Sequence, residues 1–189
     1  MTIIQNKGIY STNYLNNLGY TSNHLTKLIR SKKITRIKHG YYTLDPNIEQ
    51  FSQIIALYPE AIICLRSALY WYGYIKEKPE IDTIAVSKAH NRYKYQKANL
   101  NLKAYFRDDK YINLGVKKMY HENLPFYIYD KERTICDCLR RKDLLDPEEY
   151  KQAIKAYLDD PSKNIERLSN YASILRIKKK IDFLLEVWL

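Results

Sequence analysis

Residues 11–44 read STNYLNNLGYTSNHLTKLIRSKKITRIKHGYYTL, and their order decides the first part of the fold. Ser11 or Thr12 can accept backbone N–H bonds at the start of a helix whose apolar members Tyr14, Leu15 and Leu18 share one side. Gly19 ends that helix and Tyr20 fills the turn. Thr21 caps a second helix, in which Leu25, Leu28 and Ile29 form an inward stripe at helical spacing. What remains outward is Ser22, Asn23, Thr26, Lys27 and Arg30. After Lys32 and Lys33, the alternation from Ile34 to Lys38 predicts a half-buried strand. His39-Gly40 supplies a turn with a residue able to take positive φ, and Tyr41 to Leu44 return as the partner strand.

Charge is distributed unevenly around this stretch. The first 44 residues contain no Asp or Glu, and Lys7, Lys27, Arg30, Lys32, Lys33, Arg36 and Lys38 supply +7 of the chain's net +11. A sequence pI near 9.4 favours polyanionic partners. Asn23 can pair bidentately with adenine, Lys27 and Arg30 with guanine, and Thr26 can present its methyl to thymine. Two short helices followed by a basic hairpin are the pattern of a winged helix-turn-helix. Its second helix would read bases, and Lys32, Lys33, Arg36, Lys38 and His39 would contact phosphates around a turn built on Gly40. A solvated basic segment of the same pattern is the alternative.

The composition, 46% hydrophobic and 28% charged over 189 residues, is that of a folded chain long enough for two domains. The expected class is α+β: a winged helix-turn-helix over 1–45, then 46–189 as a mixed domain with a small sheet and a C-terminal helical bundle. Asp45-Pro46 marks the boundary, and Asn47 to Leu57 reads as a connector helix. The run Ala61 to Tyr74 is apolar nearly all round and predicts a buried helix. Ile81–Val86, Asn101–Phe106, Val116–Tyr120 and Phe126–Tyr129 alternate as four strands. Lys131–Arg141, Pro147–Leu158, Ile165–Leu175 and Lys178–Trp188 carry helical spacing. A short helix before Gly8 is also expected. No apolar run reaches the length of a membrane span, and MTIIQNKGIY lacks the order of a signal peptide, so the expectation is a soluble cytoplasmic protein without a membrane partner. Cys64, Cys136 and Cys138 have no zinc-finger spacing and are expected as free thiols.

No constellation for catalysis stands out. A phosphate-binding glycine loop is absent, and neither a metal nor a cofactor is expected. Arg133 and Asp137 stand four apart on one helix and suit a structural ion pair. Ser67 suits helix packing. The segment Lys88 to Lys110 interleaves Arg92, Lys94, Lys97 and Arg107 with Tyr93, Tyr95, Tyr105 and Phe106, a composition suited to nucleic-acid or partner contact, or to an exposed edge. Arg176 with Lys178, Lys179 and Lys180 forms a third positive cluster.

The chain resembles the AbiE-type antitoxins of bacterial type IV toxin–antitoxin, or abortive-infection, systems. Gly8, Leu15, Leu18-Gly19, Leu25, Leu28, Arg36-Ile37, Gly40, Tyr42 and Leu44 carry the resemblance in the first part. In the second it rests on Ser67-Ala68-Leu69 with Gly73, Glu132-Arg133-Thr134-Ile135 with Asp137, and Tyr171-Ala172. The resemblance implies a non-enzymatic protein that binds inverted repeats of duplex DNA in its own promoter and counteracts a nucleotidyltransferase-like toxin, as a monomer or weak dimer. Ser31-Lys32-Lys33 departs from the family by lacking a glycine between second helix and hairpin. The competing expectations are a small nuclease or nucleotidyltransferase using Glu132 and Asp137 with a metal, and an RNA-binding adaptor.

Overall fold

A computed structural model describes residues 8–96, 100–121 and 124–188. The chain is α+β and forms two compact units, one built on 8–59 with Leu100, His121 and Leu124, the other on the remaining described residues.

The first unit begins with a strand, β1 (Ile9–Ser11), followed by α1 (Thr12–Asn17) and α2 (Ser22–Arg30). A hairpin of β2 (Thr35–Lys38) and β3 (Tyr41–Thr43) comes next, and α3 (Gln50–Leu57) completes the unit. The helix expected before Gly8 lies outside the described residues. Ile9 to Ser11 pair antiparallel with Thr43 to Tyr41, so β3 is the middle of a three-stranded sheet. Ser11 and Thr21 cap the two helices as their side chains accept from Tyr14 N and His24 N. Leu15, Leu25 and Ile34 form the core, with Tyr20, Leu28 and Tyr42 packed around it.

The second unit carries β4 (Ile62–Ile63), α4 (Leu65–Trp71), β5 (Asp82–Ser87), α5 (Tyr93–Gln96), β6 (Leu102–Arg107), α6 (Asp109–Ile112), β7 (Val116–His121) and β8 (Leu124–Tyr129). Then follow α7 (Lys131–Arg140), a 3-10 turn (Lys142–Leu144), α8 (Pro147–Asp159), α9 (Ile165–Ile174) and α10 (Lys178–Trp188). Its sheet runs β6-β5-β4-β8-β7. Leu69 of α4, Ile135 of α7, Tyr157 of α8, Leu168 of α9 and Ile181 of α10 share one core.

Two expectations are corrected. The run from Ala61 is not one helix: Ile62 and Ile63 pair antiparallel with β5 and parallel with β8, making a fifth strand. Cys64 then stays extended and Leu65 takes φ 46°, which turns the chain into the shorter α4. The opening of that helix is held by the neighbouring strand, since Thr83 Oγ1 accepts from Ser67 N (3.2 Å) and donates to Cys64 O (2.6 Å). The connector also differs: α3 starts at Gln50, and the division between units falls after Pro59, which groups α3 with the first unit. Its apolar residues Phe51, Ile54, Ile55 and Leu57 are all buried, so it acts as a packed element and not as a spacer.

Arg133 is completely buried. Its Nη1 donates to Tyr111 O (2.8 Å) and Leu114 O (3.0 Å), its guanidinium lies 4.4 Å from the Tyr129 ring centroid, and Nε is 3.5 Å from Asp137 Oδ2. Gly115 makes room for it: at φ 75°, a Cβ there would stand 2.6 Å from Arg133 Cβ. The i,i+4 pair expected from sequence is therefore a buried one. Without Arg133 the carbonyls of Tyr111 and Leu114 lose their donor and Asp137 keeps only Arg107 and Arg140, and breaking a buried ionic network in this way costs about 3–5 kcal/mol. Arg133→Met is expected to lower stability by that amount; because both tryptophans, Trp71 and Trp188, belong to the second unit, urea unfolding followed by tryptophan fluorescence reads it.

Candidate nucleic-acid interface

The exposed side of α2 carries Ser22, Asn23, Thr26, Lys27 and Arg30. Leu25 is buried beneath them and Leu28 and Ile29 pack on the core, so the periodicity of the helix alone puts the polar residues outward. Thr26 donates its hydroxyl to Ser22 O (2.9 Å), which commits the hydroxyl to the helix and leaves the methyl as its contribution to a surface. These residues form a strip without a carboxylate, since α2 contains neither Asp nor Glu.

The end of α2 explains the absent glycine. Lys32 N donates to Ile29 O and Lys33 N to Leu28 O (3.0 and 2.9 Å), the paired bonds of a Schellman cap, and Lys32 takes φ 54° to make them. Gly19 makes the same turn after α1, at φ 89°. A lysine thus occupies a conformation suited to glycine, with Lys32 and Lys33 both exposed between helix and hairpin.

The hairpin presents Arg36 and His39 together, with an Arg36 Nη2–His39 Nδ1 contact at its tip. A register shift between Arg36 and Lys38 accompanies the tight turn at Gly40, whose carbonyl accepts from Thr12 N (2.8 Å) and Thr12 Oγ1 (3.2 Å) and so pins the hairpin to the start of α1. Lys38 has a different position. Its Nζ lies 4.7 Å from the Tyr58 ring centroid and 3.3 Å from the Tyr58 hydroxyl, so its ammonium is engaged within the first unit.

The second basic segment is not a continuous surface. Tyr95 is buried and donates to Glu60 Oε1 (2.8 Å), and Lys94 pairs with the same carboxylate. Burial would raise the Glu60 pKa, but these hydrogen bonds outweigh it and hold the carboxyl below its ordinary value. Arg107 reaches Asp137 (3.5 Å), Arg92 lies 4.7 Å from the Phe106 ring centroid, and Lys97 lies outside the described residues. Sequence order showed alternating cations and aromatics without showing that Tyr95 is buried or that Lys94 and Arg107 pair with carboxylates, while Tyr93 stays exposed.

The residues weighed for catalysis are dispersed. Ser67 Oγ accepts from Thr83 N (2.8 Å) and donates to Asp82 Oδ1 (3.2 Å), tying α4 to β5. Glu132 accepts from Asn164 N (2.9 Å) and faces Arg167 (3.6 Å), whereas Asp137 on the same helix is surrounded by Arg107, Arg133 and Arg140. The two carboxylates thus serve different contacts. Among the described residues, no group of three or more His, Cys, Asp and Glu side chains is placed to hold a metal ion.

Cys64, Cys136 and Cys138 are free and buried. Burial pushes all three thiols up, Cys136 to about 12, so they stay protonated at neutral pH and lack the thiolate that reacts. The native protein is expected to be inert to a thiol-specific disulfide reagent at pH 8, and to release three equivalents only on unfolding; fast reaction of any one in the native state refutes this. No family model matches the chain, and no curated protein matches it.

Proposed function

We infer that the chain is the antitoxin and transcriptional autorepressor of a type IV toxin–antitoxin operon. In this reading the first unit is a winged helix-turn-helix bound to inverted repeats in the promoter. The observation that carries the DNA-binding half is the acid-free exposed face of α2, followed directly by exposed Lys32 and Lys33 and the Arg36–His39 hairpin tip. Asn23, Thr26, Lys27 and Arg30 read bases in the major groove; Lys32, Lys33 and Arg36 hold phosphates. Lys38 contributes to the hairpin's packing through Tyr58 and less to DNA. The antitoxin half is supported by the resemblance at Ser67-Ala68-Leu69, Glu132-Arg133-Thr134-Ile135 and Asp137. In it the second unit antagonises a nucleotidyltransferase-like toxin without catalysis of its own.

Gel-shift titration on the upstream promoter tests the first half. With about six phosphates neutralised, log affinity falls against log salt with a slope of roughly −5. Arg30→Ala costs about 1–3 kcal/mol on the cognate site and relaxes preference at one base pair, whereas Arg36→Ala weakens every duplex alike. No retardation at low salt, or retardation indifferent to Lys27→Ala with Arg30→Ala, refutes the assignment.

Lys32 separates stability from binding. Lys32→Gly relieves the left-handed strain and is expected to stabilise the first unit by about 0.5–1 kcal/mol, the glycine's own entropy offsetting part of the gain. The same change removes a phosphate contact and lowers the salt slope by about 1. A variant that melts higher and binds weaker is the expected pair of results, read by thermal unfolding and by titration. Coexpression of the full chain with the product of the adjacent gene tests the antitoxin half: rescue of growth supports it, and toxicity unaffected by the chain opposes it.

A further inference from the structure

The second unit holds a surface that none of the preceding assignments uses. Val116 packs on a cluster with Ile62 and Tyr129, which places Val116, and hence Lys118 and Tyr120 at two-residue steps along β7, on one face of the sheet. Tyr127 of the adjacent β8 is on that face as well, being the cross-strand partner of Ile62 and two residues from Tyr129. Toward Tyr129 the face is covered, by Ile112 of α6 and Leu144 of the 3-10 turn. Toward the other end it is open: Tyr120 is 63% exposed and Tyr127 39% exposed. Lys118 Nζ lies 5.6 Å from the Tyr120 ring centroid.

The charge on these strands has one sign. The adjacent strands β7 and β8 contain Lys117 and Lys118 and not one Asp or Glu. Lysines on the edge strand β7 by themselves serve to discourage strand pairing. That role gives no reason to leave two phenol rings in water on adjacent strands, where each exposes apolar area that a core would bury. Flat rings on a rigid sheet next to a cation match what unpaired bases and their phosphates require: π-faces to stack on and a charge along the backbone. A duplex offers its bases only at their edges, so these rings suit a single strand.

The geometry points to a binding platform for single-stranded nucleic acid on the second unit, with Tyr120 and Tyr127 as stacking surfaces and Lys118 as a phosphate contact. The site uses none of the α2 residues and does not depend on duplex recognition by them.

Fluorescence anisotropy with the full chain and labelled oligo(U) or oligo(dT) of about 12 nucleotides, in low salt, tests the platform. Both probes lack secondary structure, and oligo(dU) alongside them separates the effect of the sugar from that of the thymine methyl. Tyr120→Ala with Tyr127→Ala is expected to weaken binding at least tenfold, and Tyr120→Phe with Tyr127→Phe to keep it within about twofold, because a phenyl ring stacks as a phenol does. Lys118→Ala lowers the salt slope by about 0.7. Lys27→Ala with Arg30→Ala leaves these affinities within about twofold while abolishing promoter retardation, so failure of either site is recognised independently. The proposal is overturned if neither probe binds, if binding survives the double alanine change, or if it follows Lys27 and Arg30. It is equally overturned if the double alanine change alters the sedimentation of the free protein and leaves oligonucleotide affinity untouched, which would make the face a contact between copies.

Discussion

The second unit is arranged around a guanidinium that has no access to water. Arg133 stands in the first turn of α7, and its contacts run to the carbonyls of Tyr111 and Leu114, the ring of Tyr129 and the carboxylate of Asp137. Those groups come from α6 and the turn that follows it, from the end of β8 and from α7 itself, so one side chain ties together three pieces of the chain. An apolar residue of the same volume would fill the space without specifying which carbonyls approach. The cost is visible in the atoms left over, since Arg133 Nη2, Arg107 Nε, Tyr129 Oη and Asp137 Oδ1 are buried without a hydrogen-bond partner among the described residues. Burying such groups is expensive, and the net gain in stability over a hydrophobic replacement can be nil. What the arrangement secures is register between α7 and the sheet, reinforced at Asp130, which caps α7 through Arg133 N (2.8 Å) and accepts from Tyr171 Oη (3.0 Å).

The two units therefore use positive charge in opposite ways. In the second, Arg107 and Arg133 converge on one carboxylate and lose their hydration to organise a core. In the first, Lys27, Arg30, Lys32 and Lys33 stand exposed around α2, in a stretch without acids to neutralise them. Repulsion among these groups opposes folding, and nothing in the helix's packing calls for them. A polyanion removes that repulsion on binding, which is why the unevenness of charge along the chain argues for function where the total charge alone does not.

How much of this could be read from the sequence depended on how local its cause was. The boundaries of α7 to α10 were legible within a residue or so, because apolar spacing acts within a turn or two of the helix itself. The outward face of α2 was legible for the same reason. Ile62–Ile63 was not: two residues are too few to alternate, and an apolar run before a helix has the same composition as the helix. Nor could spacing tell that Arg107 turns inward to Asp137 while Lys118 stays out, because the burial of Arg107 is decided by a partner thirty residues away. Tyr120 and Tyr127 looked like ordinary strand residues for a related reason, as period-two alternation shows which residues share a face but not whether another element covers it.

Strain offers a sharper criterion than composition for deciding which exposed residues matter. The turn that closes a Schellman cap recurs after α1, α2, α4 and α9, with Gly19 and Gly73 at two of these ends and Lys32 and Arg176 at the others. The geometry is the same at all four, so backbone requirements do not account for the choice of a cation. A left-handed lysine costs about 1–2 kcal/mol relative to a relaxed conformation. Glycine was available, as the chain itself demonstrates. Among the described residues no hydrogen bond or ion pair of the Lys32 side chain repays the strain; it stands exposed between α2 and the hairpin, in a stretch without acids. Strain retained at such a place argues from an observed outlier toward a function, and the function it favours is contact with an anion lying across the end of α2.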